Sequence, residues 1–170
     1  MKTCRMCKKS LSIDNFAKRE AARDSLASYC RNCKKEFDLK YASTEHGGLI
    51  ILFISIRKKV RNRRYINFTE EEKNRHRCYL TKEQFLKKWN EHKEKFGFNC
   101  ALSGEPMVFE RNSRKNSTKS KAISVDRLNP EIGYTEDNII FVSSKVNNLK
   151  GAVTKQLCVA ILKAYEERGW

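Results

Sequence analysis

Two groups of side chains in this 170-residue sequence have the types and spacing for metal chemistry. Cys4-Arg5-Met6-Cys7 and Cys30-Arg31-Asn32-Cys33 are Cys-x-x-Cys pairs with 22 residues between them. Each pair can form a knuckle that aims two sulfurs at one ion, and two knuckles complete a tetrahedral thiolate site of the structural zinc type. A site closed by Cys4, Cys7, Cys30 and Cys33 serves folding rather than catalysis. The second group lies further along. The β-branched run Ile123-Ser124-Val125 ends at the carboxylate of Asp126, a Pro130/Gly133 turn reverses the chain, and Ile139–Val142 leads to a Ser-capped helix presenting Asn147. A carboxylate and an amide oxygen converging on one point are hard ligands. They suit Mg²⁺ or Mn²⁺, which keep several waters and take substrate phosphate as a further ligand.

These groups need elements to position them. Between the Cys pairs the main large apolar residues are Leu11, Ile13, Phe16, Leu26 and Tyr29. That is too little core to order the segment against its chain entropy, so zinc and docking onto neighbours must contribute. Ser43 or Thr44 is placed to cap a helix in which Leu49, Leu52, Phe53, Ile56 and Val60 recur at helical spacing. Ile50, Ile51 and Ile54 make its first half apolar all round, which predicts burial or pairing with another chain. The adjacent glycines Gly47 and Gly48 would permit close backbone approach to His46. Arg57, Lys58, Lys59, Arg61, Arg63 and Arg64 then form a run without an acid, readable as a solvated helix end or as a phosphate contact. Phe68-Thr69 followed by Glu70-Glu71-Glu72 resembles a helix or turn start. Thr81-Lys82-Glu83-Gln84 is a capping-box pattern opening a helix with Phe85, Leu86, Trp89 and His92 or Phe96 on one face, ending near Gly97. Trp89 reads as core. Residues 111–121, with Arg114 and Lys115, read as a mobile basic loop. Thr154 should cap a last helix with Leu157, Ile161, Ala164 and Tyr165 facing inward.

The stretch from Asp126 to Gly151 resembles the HNH, or His-Me finger, endonucleases with a ββα-metal fold, which include phage recombination endonucleases and the HNH domain of CRISPR effector nucleases. Asp126-Arg127-Leu128, Asp137-Asn138-Ile139 and Asn147-Asn148-Leu149-Lys150-Gly151 follow that pattern. The Cys4 unit and the Cys100-Ala101-Leu102-Ser103-Gly104 step extend a weaker likeness to small phage and large-virus HNH proteins. The resemblance implies that Asp126 and Asn147 bind the catalytic cation and that Asn138 braces the loop through its amide. Some members carry a second zinc held by Cys pairs around the finger, whereas Cys100 and Cys158 stand alone here, so this finger must hold together by packing. Where the family has its general-base His, this chain has Arg127, a poor base but a planar phosphate clamp. Three accounts stay open at this point: a base from His46, His76 or His92, with His46 favoured; water activated at the metal, with Arg127 orienting the phosphate; or DNA binding without cleavage.

The expected fold is α+β: a Cys4 zinc module at 1–40, connecting helices with the basic segment at 41–97, an HNH-like ββα-metal finger at 98–152 and a packing helix at 153–170. Charge supports a polyanionic partner. Lys and Arg number 36 against 20 Asp and Glu, and residues 1–64 hold 17 of the bases with only 6 of the acids. Lys8, Lys9, Lys18, Arg19, Arg23, Arg31, Lys34 and Lys35 decorate the Cys module. The expected activity is a DNA endonuclease using one divalent metal ion, with duplex or branched DNA as partner. Arg57, Lys58, Lys59, Arg61, Arg63, Arg64, Arg114, Lys115 and Lys150 are the expected DNA contacts, and a homodimer would allow both strands to be cut. The alternatives are a non-catalytic DNA-binding protein with a degenerate HNH site and a zinc-dependent protein adaptor. The apolar run Leu49–Ile54 is too short to span a bilayer. Seven cysteines behind a basic, non-secretory start point to a reducing, intracellular setting, with no membrane partner.

Overall fold

The computed structural model describes residues 1–62, 65–109, 120–151 and 155–168, and these form an α+β structure. Its first part is built on tight turns. Strands β1 (Lys2–Thr3) and β2 (Ser10–Leu11) pair antiparallel, and the turn between them bends through Lys8 at φ 59°, closing on a Cys4 N–H bond to the Lys9 carbonyl. Strands β3 (Phe16–Lys18) and β4 (Leu26–Cys30) form a second antiparallel pair with a register shift between Phe16 and Lys18. Helix α1 (Arg31–Ser43) follows directly, with Cys30 at its N-cap and Cys33 in its first turn. Cys4, Phe16, Cys30 and Cys33 make a small core of their own, flanked by Cys7, Leu11 and Leu26.

Thr44 both ends α1 and caps α2 (Glu45–Arg57), its hydroxyl accepting from Gly47 N at 3.0 Å. Gly47 and Gly48 allow tight packing here rather than room for a ligand. A Cβ on Gly47 would stand 1.9 Å from the Tyr41 carbonyl oxygen, and one on Gly48 2.2 Å from the Phe109 ring. Helices α3 (Glu70–His76) and α4 (Lys82–Phe96) both begin with complete capping boxes, Thr69–Glu72 and Thr81–Gln84, and α4 stops at Gly97 with φ 62°. Strands β5 (Ile123–Arg127) and β6 (Ile139–Ser143) pair antiparallel, with Val125 opposite Phe141 and Asp126 opposite Ile140. Helix α5 (Ser144–Lys150) starts at once, capped by the Ser143 hydroxyl on Val146 N, and α6 (Lys155–Arg168) closes the described chain.

The main core draws on residues far apart in sequence: Leu49, Leu52, Phe53 and Ile56 of α2, Phe85 and Trp89 of α4, and Ile123, Val125, Phe141 and Val142 of the strand pair. The 41–97 segment is therefore not a connector. It supplies one wall of the core whose other wall is the β5–β6 sheet. Ile54 stays 42% exposed, so α2 is buried along a stripe and not all round. Val60 lies beyond α2, in a 3₁₀ turn at Lys59–Arg61. Trp89 is the hub, with Phe98, Phe109 and Phe141 set edge-on at ring distances of 5.0 to 5.7 Å and its indole N–H donating to Glu45 at 2.7 Å. The last helix departs from expectation. Leu157, Ile161, Leu162 and Tyr165 are 45–64% exposed, because apolar residues recur on several of its faces and no single stripe turns inward. Thr154, its expected cap, lies outside the described residues. Among the described residues no helix is long and apolar enough to cross a membrane.

Removing the hub tests this packing. Trp89→Ala should lower unfolding free energy by about 3–5 kcal/mol in urea titrations followed by circular dichroism, since it empties a buried aromatic site and removes one of the two donors to Glu45. A loss below about 1 kcal/mol would mean that the aromatic cluster does not hold the two walls together.

Candidate functional site

The four sulfurs of Cys4, Cys7, Cys30 and Cys33 lie within 4.8 Å of one another, three of them on buried residues. The two-strand turn delivers the first pair; the end of β4 and the first turn of α1 deliver the second. All seven cysteines are free thiols. Burial raises the Cys4 thiol, but N–H groups of Cys30, Cys7 and Met6 directed at it outweigh burial and bring its pKa down to about 6. Cys33 is pushed up to about 12, first by its hydrogen bond with the Cys30 thiol and then by burial. One thiolate is thus favoured even before an ion arrives. The soft, convergent donor set is compatible with a four-coordinate zinc site, whose Zn–S bonds are about 2.3 Å.

The second site forms on the face of β5 turned away from the main core. Side chains alternate along a strand, so Ile123 and Val125 point inward while Ser124 and Asp126 share the other face. Helix α5 lies along that face. Asn147 Nδ2 donates to Ser124 Oγ at 2.7 Å and to the Val125 carbonyl at 3.5 Å, which among the described residues leaves its Oδ1 as the uncommitted atom. One turn on, Lys150 Nζ donates to Asp126 Oδ2 at 2.7 Å and to the Arg127 carbonyl at 2.6 Å. Asp126, Asn147, Arg127 and Lys150 wall one cavity of about 300 Å³, together with Lys59 and Tyr134. A neighbouring cavity of about 420 Å³ shares Lys59, Tyr134 and Asn147 and extends to Ser55, Lys58 and Asn62. Lys59 stands between the two, its ammonium donating to the Tyr134 hydroxyl at 2.7 Å.

Asn138, at 6% exposure, lies under the loop that joins the strands. Its Nδ2 donates to the carbonyls of Asn129, Ile132 and Gly133 at 3.0, 3.1 and 2.9 Å, and its Oδ1 accepts from Asn129 N at 2.8 Å. Gly133 packs beside Arg77, where an added Cβ would meet the Arg77 carbonyl oxygen at 2.6 Å. Arg127 reaches across the same loop. Its Nη1 donates to the carbonyls of Arg75 and, at 2.8 Å, Pro130, and its guanidinium lies 5.3 Å from the Tyr134 ring centre.

The histidines fall apart in space. His46 sits in the first turn of α2, whereas the cavities meet the other end of that helix, roughly 15 Å away at helical rise, so the sequence-based preference for it is corrected. His92 is buried against Trp89 at 5.2 Å, where burial pushes its pKa down. His76 packs between Tyr65 and Phe68, its pKa lowered by burial and then by the charges of Arg127, Lys59 and Arg75. None of the three walls either cavity.

Of the expected DNA contacts, Lys58, Lys59 and Lys150 line the cavities, and Arg57 and Arg61 are exposed next to them. Arg63, Arg64, Arg114 and Lys115 lie outside the described residues, as does most of the 111–121 loop. Sequence reasoning missed Ser124 and Tyr134. The strand alternation that pairs Ser124 with Asp126 could have found the first; Tyr134 carries no spacing signal. No family model, curated protein or solved structure matches the chain.

Two outcomes are expected. Stripping metal with a strong chelator should disorder residues 1–30 while Trp89 fluorescence persists, because the small Cys core shares no residue with the main one. Unchanged protease resistance of the N-terminal segment after metal removal would contradict this. Asn138→Ala should cost about 2 kcal/mol or more by removing the bond to the buried Gly133 carbonyl and weakening the hold on those of Asn129 and Ile132, and amide exchange at 128–134 should accelerate. A neutral effect on both would show that the loop holds its shape without the amide.

Proposed function

We propose that this chain grips DNA through backbone phosphates and hydrolyses phosphodiester bonds at the Asp126–Asn147 cavity, in the manner of HNH (ββα-metal) endonucleases. The supporting observation is the shared wall: a carboxylate and an uncommitted amide oxygen open on one cavity, with Lys59, Arg127 and Lys150 around it. The order of strand, braced loop, strand and helix follows the ββα pattern, and the Asp126, Asn138 and Asn147 positions fall at its strand, loop and helix.

The residues fit a hard divalent cation. Asp126 and Asn147 Oδ1 would hold it, and Lys150, which bonds Asp126 Oδ2 at 2.7 Å, would supply positive charge for a bound phosphate. When bound, Mg²⁺ or Mn²⁺ would activate water and stabilise charge on the phosphoryl group. The protein does the rest. Asp126 and Asn147 fix the position, Asn138 and Arg127 keep the loop beneath it rigid, and Lys59, held by Tyr134, orients the phosphate. No histidine is assigned as base, and the guanidinium nitrogens of Arg127 other than Nη1 would serve a bound phosphate rather than deprotonate water. The basic run from Arg57 through Arg61 extends the grip along the strand, while zinc at the four cysteines serves folding. One observation favours the second reading, a DNA-binding protein without cleavage: the chain itself supplies Asp126 with a cationic partner, Lys150 at 2.7 Å.

Supercoiled plasmid separates the two. The zinc-loaded protein with Mg²⁺ or Mn²⁺ should release nicked circles, and Asp126→Ala and Asn147→Ala should each slow nicking by about a hundredfold or more (roughly 3 kcal/mol) while DNA binding persists. Binding without nicking by the unaltered protein would favour the second reading, and undiminished nicking by Asp126→Ala would place the chemistry elsewhere.

A further inference from the structure

One cavity among the described residues belongs to neither site. It is a groove of about 960 Å³ between the β3–β4 pair and helices α1 and α2. Its floor is apolar, made by Leu39, Ala42 and Ile51 with the Tyr29 ring, which is 44% exposed. Its rim is cationic. Arg5, Lys18, Arg19 and Lys35 stand around it from the Cys4–Cys7 turn, β3 and α1, and none has an acidic partner among the described residues. Asp38 is the one acid of the lining and is paired with Lys34.

We infer that this groove binds an unpaired segment of nucleic acid, its bases against Tyr29 and the apolar floor and its phosphates on the rim. The inference rests on the nucleic-acid part of the proposed function and not on cleavage. A single strand segregates its chemistry as the groove does, with charges along one edge and flat apolar faces along the other. A duplex hides its bases and would leave the floor in water. Arginine forks on the rim match phosphate geometry, and the chain's surplus of 36 basic over 20 acidic residues extends the attraction beyond the groove. An unpaired strand here, with duplex at the Asp126 cavity, would direct the protein to junctions between paired and unpaired DNA.

The test is fluorescence anisotropy with the zinc-loaded full chain, without Mg²⁺, on a labelled oligothymidine of about twelve nucleotides and a blunt duplex of the same length. Tyr29→Ala should weaken single-strand binding roughly tenfold and leave duplex binding within about twofold. Lys18→Ala/Arg19→Ala should make the salt dependence of single-strand binding shallower by about 1.4 in log–log slope, the loss of two phosphate contacts. Zinc content and Trp89 fluorescence check that each variant is folded. Equal weakening of both probes by Tyr29→Ala, or no weakening, overturns the inference. So does displacement of the single strand by polyglutamate at lower concentration than by unlabelled oligothymidine, which would make the groove a site for acidic peptide. A single-strand preference that depends on Tyr29, in a protein that never nicks plasmid, would sink the hydrolysis reading alone. Nicking with single-strand affinity unchanged in Tyr29→Ala would sink this inference alone, and failure to bind either probe would sink both.

Discussion

The loop between β5 and β6 is held from beneath by the buried Asn138 side chain, which adds its own bonds to backbone ones such as that from Ile132 N to the Asn129 carbonyl. Three loop carbonyls accept from its Nδ2, while Asn129 N donates back to its Oδ1. The strands that this loop joins are in register over five residue pairs, and that register sets which face Asp126 occupies. A shift by one residue would turn Asp126 into the core and Val125 out of it. Arg127 adds a second tie, joining the Pro130 carbonyl to the end of α3. Arg127 thus serves as a structural clamp through one nitrogen, and the residue also lines the cavity.

Once the register is fixed, the remaining geometry follows from two periodicities. Ser124 and Asp126 are two apart on a strand, Asn147 and Lys150 are three apart on a helix, and both spacings keep a pair on one face. The Ser143 cap starts α5 immediately after β6, so there is no slack in the placement. The result is a carboxylate held by an ammonium, beside an amide oxygen that its own nitrogen's bonds have oriented. Two further cations, Lys59 and Arg127, face the same space. Positive charge is concentrated where a phosphate would lie, and again around the groove by the Cys module, so a polyanion crossing the molecule would meet two separate grips.

Much of this was legible in the sequence because the signals are local. The Thr81 capping box, the helix start at Thr69, the Thr44 cap, the Gly97 stop and the two Cys-x-x-Cys pairs depend on residues within a few positions, and each appears where the spacing puts it. Trp89 was legible as core from helical periodicity. Long-range placement was not. The glycines after His46 suggested a ligand approach, but their neighbours are Tyr41 and Phe109, and Phe109 is distant in sequence. The 41–97 segment looked like a connector because nothing in its pattern says that its apolar stripe meets the β5–β6 sheet. The last helix misled for the opposite reason: its apolar residues fit a 3.6 period loosely enough to suggest one face while occupying several. The Lys150–Asp126 pair and the role of Tyr134 needed coordinates, since both join elements that only the loop geometry brings together.

On the proposed reading Asp126 and Asn147 hold one divalent cation between them. Titrating Mn²⁺ into isotope-labelled, zinc-loaded protein and following paramagnetic broadening of side-chain amide signals tests this directly. The Asn147 side-chain amide should broaden first, with one ion per chain, and the effect should vanish in Asp126→Ala while Cys-module signals stay sharp. Broadening that begins instead at the exposed acids Glu70–Glu72, or that leaves the Asn147 amide untouched, would contradict it.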